Sequence, residues 1–399
     1  MRKYRIAIDA RFYGIKSRGL GRYVLKLIKN LEKIDKNNSY TVYLRKEEFH
    51  QYRPKSKNFE KKLADVAWYS LKEQIIMPLI FYKGNYDLVH FPHFNVPIFY
   101  NKPYIVTIHD LILLAHPTQK ATRLNPVFYK IKEIGYKMVL NNALKKSRKI
   151  LTVSQFTKKD ILRHFRHIKK NKIKVIYEGI GGFGINKNSQ KVSEKFSKTE
   201  KKIFGLKPYL LYVGAAYPHK NLENLLLGWK KIKSKPEFKN LSLVLVGGCD
   251  WFYKELKSFA IYNKIKGVVF LGLVKKDRDL KRIYKNCEIF VFPSFYEGFG
   301  FPPLEAMQHE IPVVSSPKAS LKEILGRGAY YFNPRSPDDI SRKIIKVLKK
   351  DYLKKQLVKK SRVQVKKFSW FKMAEKTLGQ YKKTLNKKQR SSNEFKFYK

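Results

Sequence analysis

Two carboxylates eight positions apart carry the sharpest chemical signal in this chain. The segment Ile289–Glu305 reads IFVFPSFYEGFGFPPLE. An apolar run ends at Pro293 and Ser294, a glycine-bearing loop follows, and prolines at 302 and 303 mark a helix start, where missing N–H groups are tolerated. The loop Gly298, Phe299, Gly300, Phe301 therefore falls at a helix N-terminus, whose N–H groups and positive dipole end form an anion site. Glu297 sits on that loop and Glu305 further along the helix. A carboxylate accepts two hydrogen bonds in a defined geometry, which suits the hydroxyls of a sugar or a ribose. The plainer reading is a capping Glu and a solvated helical Glu. The coincidence of strand, glycines, double proline and both acids speaks against it.

A second segment, Leu210–Leu222, reads LLYVGAAYPHKNL and repeats the plan of strand, glycine, loop and helix. Lys220 near the helix start can reach a diphosphate as a compact positive charge, and His219 can add a hydrogen bond. His109 precedes Asp110 at a strand end, in TIHDL, where a histidine is as often structural as functional. His90 and His93, in VHFPHF, have a spacing that admits a metal, but the flanking aromatics and prolines favour a packed loop. Asp277-Arg278-Asp279 has the look of a metal-binding DxD. It follows VVFLGLV and precedes LKRIYKN, so it reads as a helix N-terminus with acids on the positive dipole end. No metal and no cofactor are expected, because Lys220 and a helix terminus can carry the diphosphate charge.

These groups need a scaffold of strands and helices to hold them. Tyr4–Ile8, Tyr40–Leu44, Leu88–Phe91, Ile105–Ile108, Ile150–Val153 and Ile173–Tyr177 are β-branched or aromatic runs bounded by turn signals. Helical patterns such as Tyr23–Leu31 and Phe128–Leu144 lie between them, and Ser154 suits the N-cap of another. The alternation restarts with Leu210–Val213, Leu243–Val246, Val268–Leu271, Ile289–Phe292 and Pro312–Ser315, with helices at Leu222–Ile232, Leu280–Tyr284 and Pro303–Met307. Such continuous apolar strands are buried on both faces, as in a parallel sheet covered by helices. Two successive sets predict an α/β protein of two Rossmann-like, doubly wound parallel-sheet domains facing across a cleft. The predicted domains are 1–182 and 205–368, joined by a polar linker at 183–204. A capped amphipathic helix, Ser369–Leu385, follows, with fraying expected after Lys387.

A chain of 399 residues is long enough for two ordinary cores, and a hydrophobic fraction of 43% excludes a disordered composition. Lys and Arg number 86 against 31 Asp and Glu. That excess reads either as affinity for an anionic partner or as the lysine-rich bias of an AT-rich genome, and the two are compatible. Cys249 and Cys287 offer no metal spacing and no disulfide framework, so a reducing cytoplasm fits. No leader and no run of 18 apolar residues appear, so any membrane contact should be peripheral, on the inner face of the cell membrane. Leu71–Tyr82, LKEQIIMPLIFY, is unusually apolar. It reads either as an interfacial surface or as a helix packed on the core.

Taken together, these segments resemble the GT-B fold glycosyltransferases with an E-x7-E motif, often called family 4 or glycosyl transferases group 1. Glu297 to Glu305 matches the motif in full. Leu210–Leu222 is similar to the family's phosphate-binding strand and loop, and Ile173–Ile180 to the segment closing its N-terminal domain. Lys3–Leu31, with Gly19 and Gly21, resembles its first strand and glycine loop, and Thr107–Leu111 its acceptor-side loop. Ser369–Leu385 resembles the last helix, which in that fold crosses back onto the N-terminal domain, so 369–399 is expected to join 1–182. The resemblance implies that Glu305 holds the donor ribose, that Glu297 contacts the transferred sugar, and that the backbone at Phe299 to Phe301, with Gly298 and Gly300, binds the distal phosphate and sugar. It implies that Lys220, with His219, neutralises the leaving diphosphate. Gly19 and Gly21 would let backbone approach that diphosphate, and His109 would face the reacting carbon. Asp110 and His93 fall on the acceptor side. Many members carry an Arg where Ala215 stands, so Lys220, His219 or Arg18 must supply the second positive charge. The implied activity is retaining transfer of a hexose, by analogy mannose, from a nucleotide diphosphate sugar to a glycan or polyprenyl-linked acceptor in envelope polysaccharide synthesis. A phosphorylase on the same fold, a basic nucleic-acid-binding protein and a silent scaffold are the alternatives. No helix-turn-helix, RRM, KH or zinc pattern supports nucleic acid as a partner.

Overall fold

The computed structural model describes residues 3–14, 18–116, 126–181, 208–274 and 276–394. The linker expected at 183–204 lies outside them. The chain divides into two compact units, Met1–Gly179 with Ser369–Lys399, and Ile180–Phe368.

The first unit runs β1 (Arg5–Asp9), α1 (Arg18–Ile34), β2 (Ser39–Leu44), α2 (Lys46–Phe49), β3 (Phe59–Leu63), α3 (Leu71–Gly84), β4 (Leu88–Phe91), β5 (Tyr104–Ile108), α4 (Ile112–Ala115), α5 (Pro126–Lys146), β6 (Lys149–Thr152), α6 (Gln155–His164) and β7 (Ile173–Val175). Its strands form one parallel sheet in the order β3-β2-β1-β4-β5-β6-β7. Every residue of β4 and β5 is buried, as a sheet covered on both faces requires.

The second unit runs β8 (Tyr209–Val213), α7 (Leu222–Lys233), β9 (Ser242–Val246), α8 (Trp251–Tyr262), β10 (Val268–Gly272), α9 (Asp277–Lys285), β11 (Ile289–Phe292), α10 (Phe301–Gln308), β12 (Val313–Ser315), α11 (Leu321–Leu325), β13 (Ala329–Tyr331), α12 (Pro337–Lys349) and α13 (Asp351–Val365). Its six parallel strands are ordered β10-β9-β8-β11-β12-β13. In both sheets the winding reverses beside the first strand, between β1 and β4 and between β8 and β11. Doubly wound sheets bind ligands at such points, beyond the carboxyl ends of the strands.

The last helix, α14 (Trp370–Glu394), belongs to the first unit and packs on α1. Tyr381 on α14 bonds His90 Nδ1 at 2.6 Å, and His90 Nε2 meets Thr107 Oγ1 at 2.9 Å. Tyr23 on α1 closes the chain at Thr107 with 3.1 Å. His90 is fully buried, and burial pushes its imidazole down to about 3. It is a neutral cross-link between helix and sheet.

Four local expectations are corrected. β3 and β13 were not legible as strands. β3 is an edge strand whose FEKKL buries only Phe59 and exposes Glu60, Lys62 and Leu63, and β13 has three residues. Gly19 and Gly21 lie in the first turn of α1, which starts at Arg18, and not in a loop. α14 continues as helix past Lys387, where fraying was expected, to Glu394.

Candidate functional site

The two chemistry-bearing segments of the second unit meet because their strands are neighbours. β8 and β11 pair in parallel, Leu210 with Ile289 and Leu211 with Phe290, so both following loops leave the same end of the sheet at its switch point. Phe295 N–H donates to the His219 carbonyl at 2.8 Å, tying one loop to the other. Lys220 closes a short 3-10 turn and reaches Glu297, Nζ to Oε1 at 2.6 Å, with both side chains mostly buried. His219 stacks on Tyr217, ring centroids 5.8 Å apart.

Gly300 is the N-cap of α10, at φ 98°, a left-handed conformation suited to glycine, and a Cβ there would come within 2.9 Å of Leu321. Pro302 and Pro303 follow in the first turn, so of the four leading helical positions only Phe301 and Leu304 carry an N–H. Glu297, Gly298 and Phe299 precede them. The loop is fixed from below by the fully buried Ser320, whose hydroxyl donates to the carbonyls of Glu297 (2.9 Å) and Phe299 (3.2 Å). Glu305 lies on α10, half-buried, and its Oε2 accepts from the Tyr284 hydroxyl at 3.0 Å.

Asn221 stands at the N-cap position of α7 in a left-handed conformation, φ 60°, without a side-chain cap bond. Its buried side chain donates to the carbonyls of Pro293 (3.1 Å) and Pro334 (2.7 Å), pinning the exit of β11. Asn221, Ser320 and Tyr284 were missed in the sequence. An Asn immediately before an apolar helix is a cap signal that could have found the first. Nothing local marks the other two. At Ala215, where many members carry Arg, the carbonyl accepts the Tyr212 hydroxyl at 2.7 Å. The side chain of Arg18 lies outside the described residues.

In the first unit His109 follows β5 directly. Its Nδ1 faces Glu178 Oε1 at 3.1 Å and its Nε2 faces the Pro92 carbonyl at 2.9 Å. Both partners are acceptors, so only an imidazolium satisfies both. Burial works against the charge, yet Glu178 wins and the imidazole is raised above its usual value. Tyr23 packs edge-on against the ring at 4.8 Å. Asp110 Oδ1 accepts the Ile112 N–H at 3.0 Å, capping the short α4. His93 lies among aromatic rings beyond β4, and burial pushes it down to about 3. Asp277 and Asp279 occupy the first turn of α9, the helix terminus expected for that motif. Among the described residues no cluster of His, Cys, Asp or Glu is arranged to hold a metal, and no helix is long and apolar enough to cross a membrane. α3 divides its apolar residues: Met77, Pro78 and Phe81 are buried, while Leu71, Ile75 and Leu79 stand in solvent.

The model of glycosyl transferases group 1 matches residues 193–364, and that of Glycosyltransferase Family 4 matches residues 17–181. The chain is 30% identical over 274 residues, 68% of each chain, to the O-antigen chain mannosyltransferase RfbU of Salmonella typhimurium. It is 29% identical over 300 residues, 74% of each, to O-antigen chain mannosyltransferase B of Escherichia coli. Among solved structures, a sucrose-phosphate synthase from Thermosynechococcus elongatus superposes with a TM-score of 0.70 at 19% identity, covering 96% of this chain and 99% of that one. WaaG, a glycosyltransferase involved in lipopolysaccharide biosynthesis, superposes with 0.65 at 15% identity, covering 94% and 98%.

Proposed function

The chain belongs to the glycosyltransferases of GT-B fold, family 4, and on that premise we propose that it transfers mannose from a nucleotide diphosphate to a glycan or lipid-linked acceptor in envelope polysaccharide synthesis. One observation carries the reading: Lys220 and Glu297, far apart in sequence, meet at 2.6 Å at the switch point of the six-stranded sheet, beside a helix N-terminus. A cation, a carboxylate and a helix N-terminus in one place suit a diphosphate joined to a sugar. The relatives named as mannosyltransferases support mannose.

In this mechanism Glu305 holds the ribose hydroxyls and Glu297 a hydroxyl of the transferred sugar. The backbone from Phe299 to Phe301 takes the distal phosphate. Lys220, assisted by His219, neutralises the charge that develops on the leaving diphosphate, and no metal is required for that. Retention follows from front-face attack, in which the C–O bond to phosphate breaks as the acceptor oxygen bonds the anomeric carbon. The acceptor proton passes to the departing phosphate. With both ring nitrogens committed, His109 offers no base for that proton. It holds a positive charge in place instead. No second carboxylate is assigned to flank the bond, so the double-displacement scheme of glycosidases is not invoked.

The enzyme works as a peripheral protein on the inner face of the cell membrane, with the exposed apolar side chains of α3 and the lysine-rich surface in contact with anionic lipid. Thermal unfolding against UDP, GDP, ADP, dTDP and their sugars tests the donor site. A ligand at about 100 times its Kd adds about 2.7 kcal/mol of stability. The expected result is a shift with one nucleotide, reduced in Glu305→Ala. Folded protein with no shift for any nucleotide would sink the assignment.

A further inference from the structure

Glu178 is the last side chain before Gly179, where the first part of the first unit ends, and the sequence did not single it out. It is 1% exposed, and a carboxylate is seldom buried that deeply unless it is paired. Its hydrogen-bond partner is the His109 ring, Oε1 to Nδ1 at 3.1 Å. The chain beside it is clamped within the same unit: a Cβ at Gly179 would lie 2.2 Å from the Trp370 nitrogen at the start of α14, so that position has room for glycine alone. The carboxylate is therefore placed by packing that has nothing to do with the ring it holds.

His109 is fixed from four sides. Glu178 takes Nδ1, and the Pro92 carbonyl beyond β4 takes Nε2 at 2.9 Å. Tyr23 of α1 lies edge-on to the ring at 4.8 Å and is itself tied to Thr107 at 3.1 Å. Thr157 of α6 donates its hydroxyl to the His109 carbonyl at 3.0 Å. Burial opposes a charge on the ring, but the bond to Glu178 and its charge overcome that, with the Pro92 carbonyl and Asp110 acting in the same sense. His90 and His93 are close enough to feel this ring. Burial pushes both down to about 3, and the His109 charge pushes the same way, as Arg11 does on His93. Three histidines thus share one region, and the one that meets a buried carboxylate is the one that suits a proton on both nitrogens.

We propose that Glu178 is a positioning residue for glycosyl transfer: its carboxylate fixes the His109 ring and keeps it an imidazolium, so that the reaction proceeds beside a preorganised positive charge. The proposal rests on the glycosyltransferase reading and adds the group that sets the working state of His109. A charge oriented before the substrate arrives costs no reorganisation when negative charge develops on it. Asp110 does not replace Glu178, because its Oδ1 accepts the Ile112 N–H at 3.0 Å and the Nδ1 of the ring is bonded to Glu178. The imidazolium is present below the midpoint of the folded ring and is lost as pH rises through it, so turnover falls on the alkaline side.

The test uses the full chain, with histidine-ring NMR and GDP release from GDP-mannose, mannobiose serving as acceptor, both followed from about pH 5 to about pH 9. His109→Gln identifies the ring signal. In Glu178→Gln the ring midpoint should fall by about one pH unit or more. The alkaline fall of kcat should move down with it, so that above both midpoints kcat is about tenfold lower, the factor that one pH unit carries. Donor KM should stay within about twofold. Glu178→Asp, which keeps the carboxylate, should restore part of the displacement. A ring that titrates at the same pH in the wild type and Glu178→Gln overturns the proposal. So does a rate lowered equally at every pH, which is what a merely structural role gives. No GDP release by the wild type, with the ring midpoint displaced as expected, leaves Glu178's hold on His109 standing and removes the mannosyl-transfer reading instead.

Discussion

Replacing Lys220 by Met separates what the residue does for the fold from what it does for the reaction. Lys220 and Glu297 sit 2.6 Å apart with side-chain exposures of 16% and 12%, so water screens the pair only partly. Removing the cation alone leaves a mostly buried carboxylate unpaired, at a cost of about 1–3 kcal/mol. For a domain of this size that lowers Tm by about 2–4 °C per kcal/mol. Replacing Glu297 by Gln in the same chain removes the stranded charge, so the double variant Lys220→Met/Glu297→Gln should regain most of the lost stability. Turnover should behave differently. A charge-assisted bond to the leaving diphosphate is worth about 1.5–3 kcal/mol, so kcat/KM should fall about 10- to 150-fold in the single variant and stay low in the double. Thermal unfolding and steady-state kinetics on the three proteins read both quantities. Recovery of turnover together with stability, or a single variant within about twofold of the wild-type rate, would refute a role for Lys220 at the diphosphate.

Glu305→Ala should raise donor KM about 10- to 150-fold with little change in kcat, and Tyr284→Phe should shift the same constant by less than tenfold, because it removes only a 3.0 Å bond that orients the carboxylate; an unchanged donor KM in Glu305→Ala rules out the ribose contact. His109 is raised above its usual 6.5 by Glu178, so its contribution to stability is complete below about pH 6.5 and is lost as pH climbs through the folded value. Urea unfolding from about pH 5 to about pH 9 should show that loss in the wild type and a flatter profile in His109→Gln; parallel profiles would mean the ring is not charged in the fold. Ile75→Glu with Leu79→Glu should abolish binding to vesicles of anionic lipid while leaving Tm nearly unchanged, since both side chains are more than half exposed; undiminished vesicle binding would remove α3 as the contact.

Much of the fold was readable along the chain. Runs such as LLYV and IFVF announce strands buried on both faces, because a central strand of a parallel sheet touches helices above and below. Ser154 announced its helix and does cap it, accepting from the Thr157 N–H at 3.1 Å. Edge strands were less legible. β3 buries only Phe59 and exposes Glu60, Lys62 and Leu63, and that hides the strand from any pattern built on burial. The start of α1 was hidden for a different reason, since its two glycines look like loop punctuation when met in sequence.

The candidate site divides along the same line. The sequence by itself determined which groups are available: Glu297 and Glu305 around a double-proline helix start, Lys220 after a strand and glycine, His109 at a strand end. It also determined that each follows a strand, in the loop or helix after its carboxyl end, because local pattern sets where an element stops. Only the tertiary structure decided what those groups touch. Lys220 meets Glu297 across 77 residues because β8 and β11 are neighbours in the sheet. His109 has its imidazole raised above the ordinary value because Glu178, 69 residues away, lies within hydrogen-bond reach of Nδ1. Tyr69 has its backbone N–H held by Glu73, which Arg11 and Asn95 grip in turn from other parts of the chain. Periodicity states that a face is buried; strand order states what it is buried against, and that order is set by packing between segments too distant in the chain for any local pattern to record.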